Sequence, residues 1–161
     1  MPYATATLFI QKFGLDETTQ LLADEQGLLT NVLLTDAVAV SLGGAWTGTP
    51  SAAEMAAANA ALARINRQLT VSSNLMDGYL RSAVTLPLAA DDANAGTLEE
   101  CCMALTRGGL ADDSDNATER MDKACDTWRT WLKDVSRGSV QLVGSTGAAA
   151  PSTGGARSGQ A

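Results

Sequence analysis

The sequence contains no histidine. Histidine is the commonest general base and metal ligand of proteins, so its absence argues against serine–histidine triads and classical hydrolase chemistry. Aromatic residues are also few, at 4% of the chain, although 45% of it is hydrophobic. An interior built mainly from leucine, alanine, valine and methionine favours closely packed helices. The composition therefore predicts an all-α protein.

Long apolar runs and clustered basic residues are lacking as well. No run approaches the ~20 apolar residues that a transmembrane helix needs, and the chain opens without the pattern of a signal peptide. The net charge is −7, and the eleven basic residues are scattered, which argues against a surface that binds nucleic-acid phosphates. We expect no membrane contact and a protein made in the cytoplasm.

The three cysteines do not form the disulfide framework of a small secreted protein. Cys101, Cys102 and Cys125 could bind zinc together with Glu99, but adjacent cysteines lack the usual spacing of zinc ligands. Small buried thiols on helix faces are the favoured interpretation. We therefore predict no metal site at these residues.

Acidic and glycine pairs are the remaining candidates for ligand sites. The acidic runs at 91–92 and 112–115 lack the central glycine and terminal glutamate of a calcium-binding EF-hand loop, so solvated loop charge is favoured. The pairs at 43–44 and 108–109 do not belong to a phosphate-binding glycine motif and suggest turns or helix ends. The sequence predicts neither a catalytic residue nor a cofactor.

A helical stripe in the middle of the chain is the most informative pattern. Apolar or small residues recur in steps of three and four from Met55 to Ala83, as on one face of an α-helix. Ser51 and Glu54 match a capping box at the start of this helix. The helix predicted over residues 51–83 would be about 50 Å long, more than a compact core of this size needs. We therefore expect something beyond its own core to cover it.

A second amphipathic helix is predicted over residues 116–137, ending at Gly138. Its apolar positions are Met121, Cys125, Trp128, Leu132 and Val135, which repeat every three or four residues. We expect this helix to pack antiparallel against the long helix in a small bundle. Trp128 fits the buried line, whereas Trp131 is expected at its margin, either as an interface anchor or as part of the core edge.

Shorter helices are predicted before and between these two. They cover residues 5–13, a turn from Asp16, residues 26–42 and residues 97–107, with Gly14 and Gly108-Gly109 as ends and with Thr97–Glu100 and Asn116–Glu119 as cap pairs. The valine and threonine content of 26–42 leaves a strand as the alternative there. Trp46 lies in the loop before the long helix.

The composition changes at Gly144. Residues 144–161 consist mainly of glycine, alanine, serine, threonine and proline, with Arg157 as their only charged residue. Such a segment cannot bury enough apolar surface to offset its chain entropy. We predict a helical domain over residues 1–143 and a flexible tail over 144–161.

Six short motifs run in order through residues 3–142. They are Tyr3-Ala4-Thr5, Phe13-Gly14, Asp77-Gly78-Tyr79-Leu80-Arg81, Leu86-Pro87-Leu88, the 98–110 helix with Cys101 and Arg107, and Arg137-Gly138-Ser139-Val140-Gln141-Leu142. In this order they resemble the Mu-like phage head-tail connector family. The family usually has tyrosine where Ser82 follows Arg81, and residues 23–50 look like an insertion with its own contact surface.

The resemblance implies a non-enzymatic adaptor in the virion neck of a long-tailed phage. Such adaptors form a ring, usually of twelve copies, between the portal of the head and a stopper or tail-terminator protein, and DNA passes through the channel without specific binding. The acidic surplus would keep the channel from gripping DNA. Two alternatives remain, a stopper or tail-completion protein of the same neck and a small helical regulatory module.

Two sets of contact residues follow from this interpretation. We expect the extended segment after the last helix, with the tail, to bind the portal through added backbone hydrogen bonds or by ordering on its surface; these residues are Ser139, Val140, Gln141, Leu142, Val143 and Arg157. Contacts between neighbours in the ring are expected from Trp46, Arg81 and Trp131.

Overall fold

The computed structural model describes residues 1–144, which form six α-helices. The helices are α1 (Ala6–Phe13), α2 (Leu15–Leu21), α3 (Asn31–Ser41), α4 (Ala52–Leu80), α5 (Ala95–Asp113) and α6 (Glu119–Ser136). No β-strand occurs within these residues, so the all-α prediction is confirmed. Arg157 and most of the predicted tail lie outside the described residues.

The long helix α4 is the element on which the others pack. Its 29 residues make it about 43 Å long. The predicted capping box is present, because the Glu54 N–H donates to Ser51 Oγ (3.2 Å) and the Ser51 N–H donates to Glu54 Oε2 (2.7 Å). The helix packs mainly against α5 and α3, and also contacts α6 and α1.

The buried face of α4 follows the predicted stripe. Ala58, Leu62, Ile65, Leu69, Ser72 and Met76 are all buried. The chain's own helices therefore cover this stripe, contrary to the expectation that something beyond its own core would. The large apolar side chains that stay exposed on α4 lie beside the stripe, at Val71 and Leu75.

Helices α4, α5 and α6 alternate in direction along the chain. Between α5 and α4, Thr106 Oγ1 donates to Ser72 Oγ (2.9 Å), and Gly109 lies against Gln68. A later residue of α5 thus meets an earlier residue of α4, so these two helices are antiparallel. Helix α6 ends where α4 ends, since Ser82 Oγ donates to the Ser136 carbonyl (3.2 Å). The predicted antiparallel packing of the long and last helices is therefore wrong. They run parallel because α5 returns between them.

Helix α5 continues through the glycine pair that was predicted to end it. A Cβ on Gly108 would lie 2.2 Å from Cys125 Sγ, and a Cβ on Gly109 would lie 2.2 Å from Gln68 Nε2. The glycines therefore allow α6 and α4 to approach α5 closely. Leu110, the next residue, is 1% exposed, so continued packing outweighs the low helix propensity of glycine.

The starts of three helices differ from the predicted ones. Helix α3 begins after Thr30, because the Asp24 carboxylate accepts from the Leu29 N–H (3.0 Å) and holds a turn before it. Helix α6 begins after Thr118, not Asn116, and the Thr118 hydroxyl accepts from the Met121 N–H (3.3 Å). Helix α5 begins after Asn94, so Thr97 lies inside it and does not cap it. A helix over the 26–42 region is nevertheless confirmed against the strand alternative.

All three cysteines are buried and free, as small core thiols. Burial, and then the neighbouring Cys102 and Cys125, raise the pKa of Cys101 to about 12. Within residues 1–144, no group of histidine, cysteine and carboxylate side chains is arranged to hold a metal ion. None of the helices in this part of the chain combines the length and the apolar composition that crossing a membrane requires.

The close contact at Gly108 predicts an unusual response to alanine. Gly→Ala in a helix interior normally stabilises by about 1 kcal/mol, but at Gly108 the added methyl group meets the buried Cys125 sulfur. We expect Gly108→Ala to lower the unfolding free energy by about 1–3 kcal/mol, as measured by urea denaturation.

Two comparisons separate this contact from helix propensity. In a Cys125→Ala background the loss at Gly108→Ala should largely vanish, because the next nearest atom, the Cβ of residue 125, lies 3.8 Å away. Gly78→Ala in α4, where a Cβ meets nothing within 4 Å, should stabilise. Equal effects at Gly108 and Gly78 would contradict the packing explanation.

Candidate interaction surface

One end of the bundle brings together the ends of α4 and α6. The hydrogen bond from Ser82 to Ser136 places Arg81, the C-cap of α4, beside the segment that follows α6. Arg81, Ser139, Gln141 and Val143 are exposed there. We call Arg81 and residues 139–143 the end surface. The fold thus joins residues that are about 60 positions apart in sequence.

The first part of this segment is held by the last turn of α6. Gly138 takes a positive φ of 78°, which reverses the chain as predicted. The N–H groups of Ser139 and Val140 then both donate to the Asp134 carbonyl, at 2.9 and 3.3 Å. These backbone donors are consequently used inside the chain.

The second part is held by the loop before α5. The Val143 N–H donates to Asn94 Oδ1 (2.9 Å), and Asn94 Nδ2 donates to the Val143 carbonyl (2.8 Å). Leu142 is buried at 7% exposure, while the Val143 side chain is 71% exposed. A partner would meet mainly the side chains of Ser139, Gln141 and Val143 here, since much of the backbone is already bonded.

Arg81 borders an open depression of about 580 Å³ at this end. The depression is lined by Asp77, Arg81, Val84, Thr85, Leu86 and Pro87. The Asp77 carboxylate accepts a short hydrogen bond from the Tyr3 hydroxyl (2.5 Å), and the Tyr3 N–H donates to Ser73 Oγ (3.0 Å). Burial, and then the bond to Asp77, raise the pKa of Tyr3 above its ordinary value. The amino-terminal segment is thereby fixed on α4, close to Arg81.

Arg107, which belongs to the 98–110 motif, stabilises the bundle internally. The Arg107 guanidinium donates to both carboxylate oxygens of Glu17, at 2.5 and 2.9 Å, and lies 4.7 Å from the centre of the Phe13 ring. This bidentate pair connects α2 to α5 and stacks on the end of α1. Arg107 therefore acts within the fold, and its contacts give no reason to place it at an interface.

The two tryptophans predicted as neighbour contacts lie elsewhere. Trp46 is half-buried in the loop before α4, at the opposite end of that helix from Arg81. The buried Asp36 carboxylate fixes this loop by accepting from the Thr47 N–H (2.8 Å) and hydroxyl (2.9 Å). Trp46 and Arg81 thus belong to separate surfaces.

Trp131 packs against Trp128. Their ring centres are 5.5 Å apart in an edge-to-face arrangement, and both rings are half-buried against the core. Residues three apart on a helix differ by only about 60° in direction, so Trp128 and Trp131 lie on the same side of α6. Trp131 lies at the core margin, and its partly open ring remains available to a partner.

The family comparison covers almost the whole chain. The model of the family described as Bacteriophage Mu, Gp36 matches residues 3–160. The chain belongs to this Gp36 family. It is therefore a Mu-like phage protein, as the order of its short motifs suggested. No curated protein matches the chain.

Sequence reasoning missed two residues that organise these surfaces in the Gp36-family protein. The sequence could have indicated a special role for Asp36, since it is the only charged residue between Gln26 and Ala53. It gave no such indication for Asn94, because asparagine is common in loops and its partner Val143 lies 49 positions away. Both act by hydrogen-bonding loop backbone, which spacing along the chain does not reveal.

The Asn94 contacts predict how the end surface can be released. Asn94→Ala removes both hydrogen bonds to Val143, each worth about 0.5–1.5 kcal/mol, and should expose the Val143 amide. We expect faster hydrogen exchange at residue 143, measured by NMR, with unchanged exchange in the middle of α4. Ser139→Ala is the matched control, because no hydrogen bond joins its side chain to the described residues. Unchanged protection of Val143 would show that Asn94 does not hold the segment.

Proposed function

We propose that this Gp36-family protein is a structural protein of the virion neck, an adaptor that joins the portal of the head to the tail. The observation that carries the proposal is the Mu Gp36 family match over residues 3–160. The motif order that resembles head-tail connectors supports it, as does the all-helical fold of the described residues. A structural role accounts for these features without assigning chemistry to the chain.

In this role the chain forms a ring, proposed to contain twelve copies, with the portal on one side and a stopper or tail-terminator protein on the other. Arg81, Trp46 and Trp131 are the proposed contacts between neighbours. Trp46 and Trp131 are only half-buried and Arg81 is exposed, so each has surface left to cover. The net charge of −7 supports passage of DNA through the ring without specific binding.

The portal contact is assigned to Ser139, Val140, Gln141, Leu142 and Val143, with Arg157 of the tail. The end surface presents the side chains of Ser139, Gln141 and Val143 on a segment that is anchored at both ends. Anchoring lowers the entropy that binding would otherwise cost. Leu142 contributes by holding the segment to the core, where it is buried.

Ring formation is tested by the mass and the negative-stain appearance of the purified chain, alone and with the portal. Closed rings, alone or on the portal, are the expected result. A chain that stays monomeric alone and does not join the portal would contradict the adaptor role and favour a regulatory module.

The portal contact is tested by two truncations. Deleting residues 139–161 should abolish portal binding while leaving the helical circular dichroism signal in place. It should also lower the melting temperature, because removing the buried Leu142 costs about 1.5–3 kcal/mol. Portal binding that persists after this deletion would overturn the assignment.

Deleting only residues 145–161 separates the tail from the end surface. This truncation keeps Leu142 in the core and Val143 on Asn94, so it should not change the melting temperature. Reduced portal binding would assign part of the contact to the tail with Arg157. Full binding would assign the contact to residues 139–143 alone.

A further inference from the structure

A strip of surface along the seam of α4 and α6 changes charge from one end to the other. On α6 it carries Asp122 and Asp126, then Arg129, then Lys133 and Arg137. These residues recur every three or four positions, so they share one face of the helix, and all five are exposed. The strip is therefore acidic at one end and basic at the other.

The middle of the strip is apolar on its α4 side. Val71 is 50% exposed and Leu75 is 40% exposed. Both line a concave surface of about 300 Å³ together with Gln68, Asp122, Asp126 and Arg129. Large apolar side chains that stay exposed in a concave surface mark a contact site more often than scattered ones do.

The cations at the basic end are available to a partner. Arg129 pairs with Asp126 on its own helix, at 3.8 Å. Lys133 and Arg137 form no ion pair with any residue in the described range 1–144. At the acidic end, Asp122 likewise lacks an ion pair within that range.

The register of the two helices places Leu75 at the centre of the charges, with Val71 about one turn nearer the acidic end. Helices α4 and α6 are parallel, and Ser82 lies level with Ser136. Since both helices rise about 1.5 Å per residue, Leu75 lies level with Arg129, and both line the same concave surface. Acidic residues therefore lie on one side of Leu75 along the strip, and basic residues lie on the other side.

Such a strip is complementary to itself when one copy is reversed. About a two-fold axis near Leu75, Asp122 faces Arg137 of the other copy and Asp126 faces Lys133. Leu75 meets its own copy at the axis, and Arg129 lies beside the axis with its charge paired to Asp126 on its own helix. A parallel arrangement would place like charges together. We propose that this strip binds the same strip of a second copy in antiparallel orientation, forming a two-fold dimer.

The helix dipole explains part of the pattern but not all of it. Acidic residues near the start of a helix and basic residues near its end are favoured in any helix, which covers the order within α6. It does not explain the exposed Val71 and Leu75 on α4, of which Leu75 is in register with the point where the charge changes sign. The charge order and the apolar centre together favour a second copy as the partner, because a reversed copy matches both.

The size of the strip sets the strength of this dimer. From Asp122 to Arg137 the strip is about 22 Å long and only one helix seam wide, so it buries less area than the ≈ 800 Å² per partner of a standard interface. We therefore expect a weak and reversible dimer. Its exposed charge pairs are screened as the Debye length falls from about 10 Å at 0.1 M salt to about 3 Å at 1 M. The dimer does not depend on the proposed neck role.

The experiment is sedimentation of the full chain over a range of concentrations at 0.1 M and 1 M salt. Dimers are expected at 0.1 M salt. At 1 M salt the dissociation constant of the dimer should be at least about tenfold higher, because the charge pairs are screened. A chain that stays monomeric at every concentration in 0.1 M salt would overturn the proposal. So would a dimer that salt leaves unchanged.

Charge reversal tests the orientation. One variant carries Lys133→Glu and Arg137→Glu, and the other carries Asp122→Lys and Asp126→Lys. Each alone should be monomeric, because its two strips would then repel in antiparallel orientation. An equimolar mixture should form dimers again, which also shows that both variants are folded. Dimers of either variant alone, or none in the mixture, would refute the antiparallel strip.

Removing the apolar centre provides a matched comparison. Val71→Ser with Leu75→Ser should weaken the dimer at least tenfold. Val32→Ser with Leu42→Ser changes two similarly exposed apolar residues outside the strip, at 56% and 77% exposure, and should leave the dimer unchanged. Equal effects of the two pairs would mean non-specific association and would overturn the proposal.

Discussion

The close approach of α5 to both of its neighbours is the constraint on which the rest of the bundle depends. Gly108 and Gly109 carry no side chains, so Cys125 and Gln68 fill that space. Helix α5 can then lie between α4 and α6, with Thr106 bonded to Ser72 in the buried contact. Because α5 returns between them, α4 and α6 run in the same direction and end together.

This parallel arrangement creates the surfaces on which function is proposed. It places Arg81 beside the segment after α6 through the bond from Ser82 to Ser136. Asn94, at the start of α5, then holds Val143 in position. A partner at this end meets a segment that is already ordered by the fold, which suits a structural protein that must present the same surface in every copy.

The same arrangement separates two kinds of self-contact. The seam of α4 and α6 holds the self-complementary strip, whereas Trp46 lies at the far end of α4 and Trp131 at the core margin. A weak dimer through the strip would leave both tryptophans and residues 139–143 accessible. In a chain of net charge −7, a strip that pairs opposite charges also reduces the repulsion between copies.

The helical class, the long capped helix and most of its buried stripe follow from the amino-acid sequence alone, because periodicity and capping are local properties. The sequence also carried the ordered motifs that placed the chain near Mu-like phage proteins. It did not determine the direction of α6 relative to α4, the passage of α5 through Gly108-Gly109, or the hold of Asn94 on Val143. These three features emerge only in the folded bundle, because each depends on contacts between residues far apart in sequence, where packing outweighs local preference.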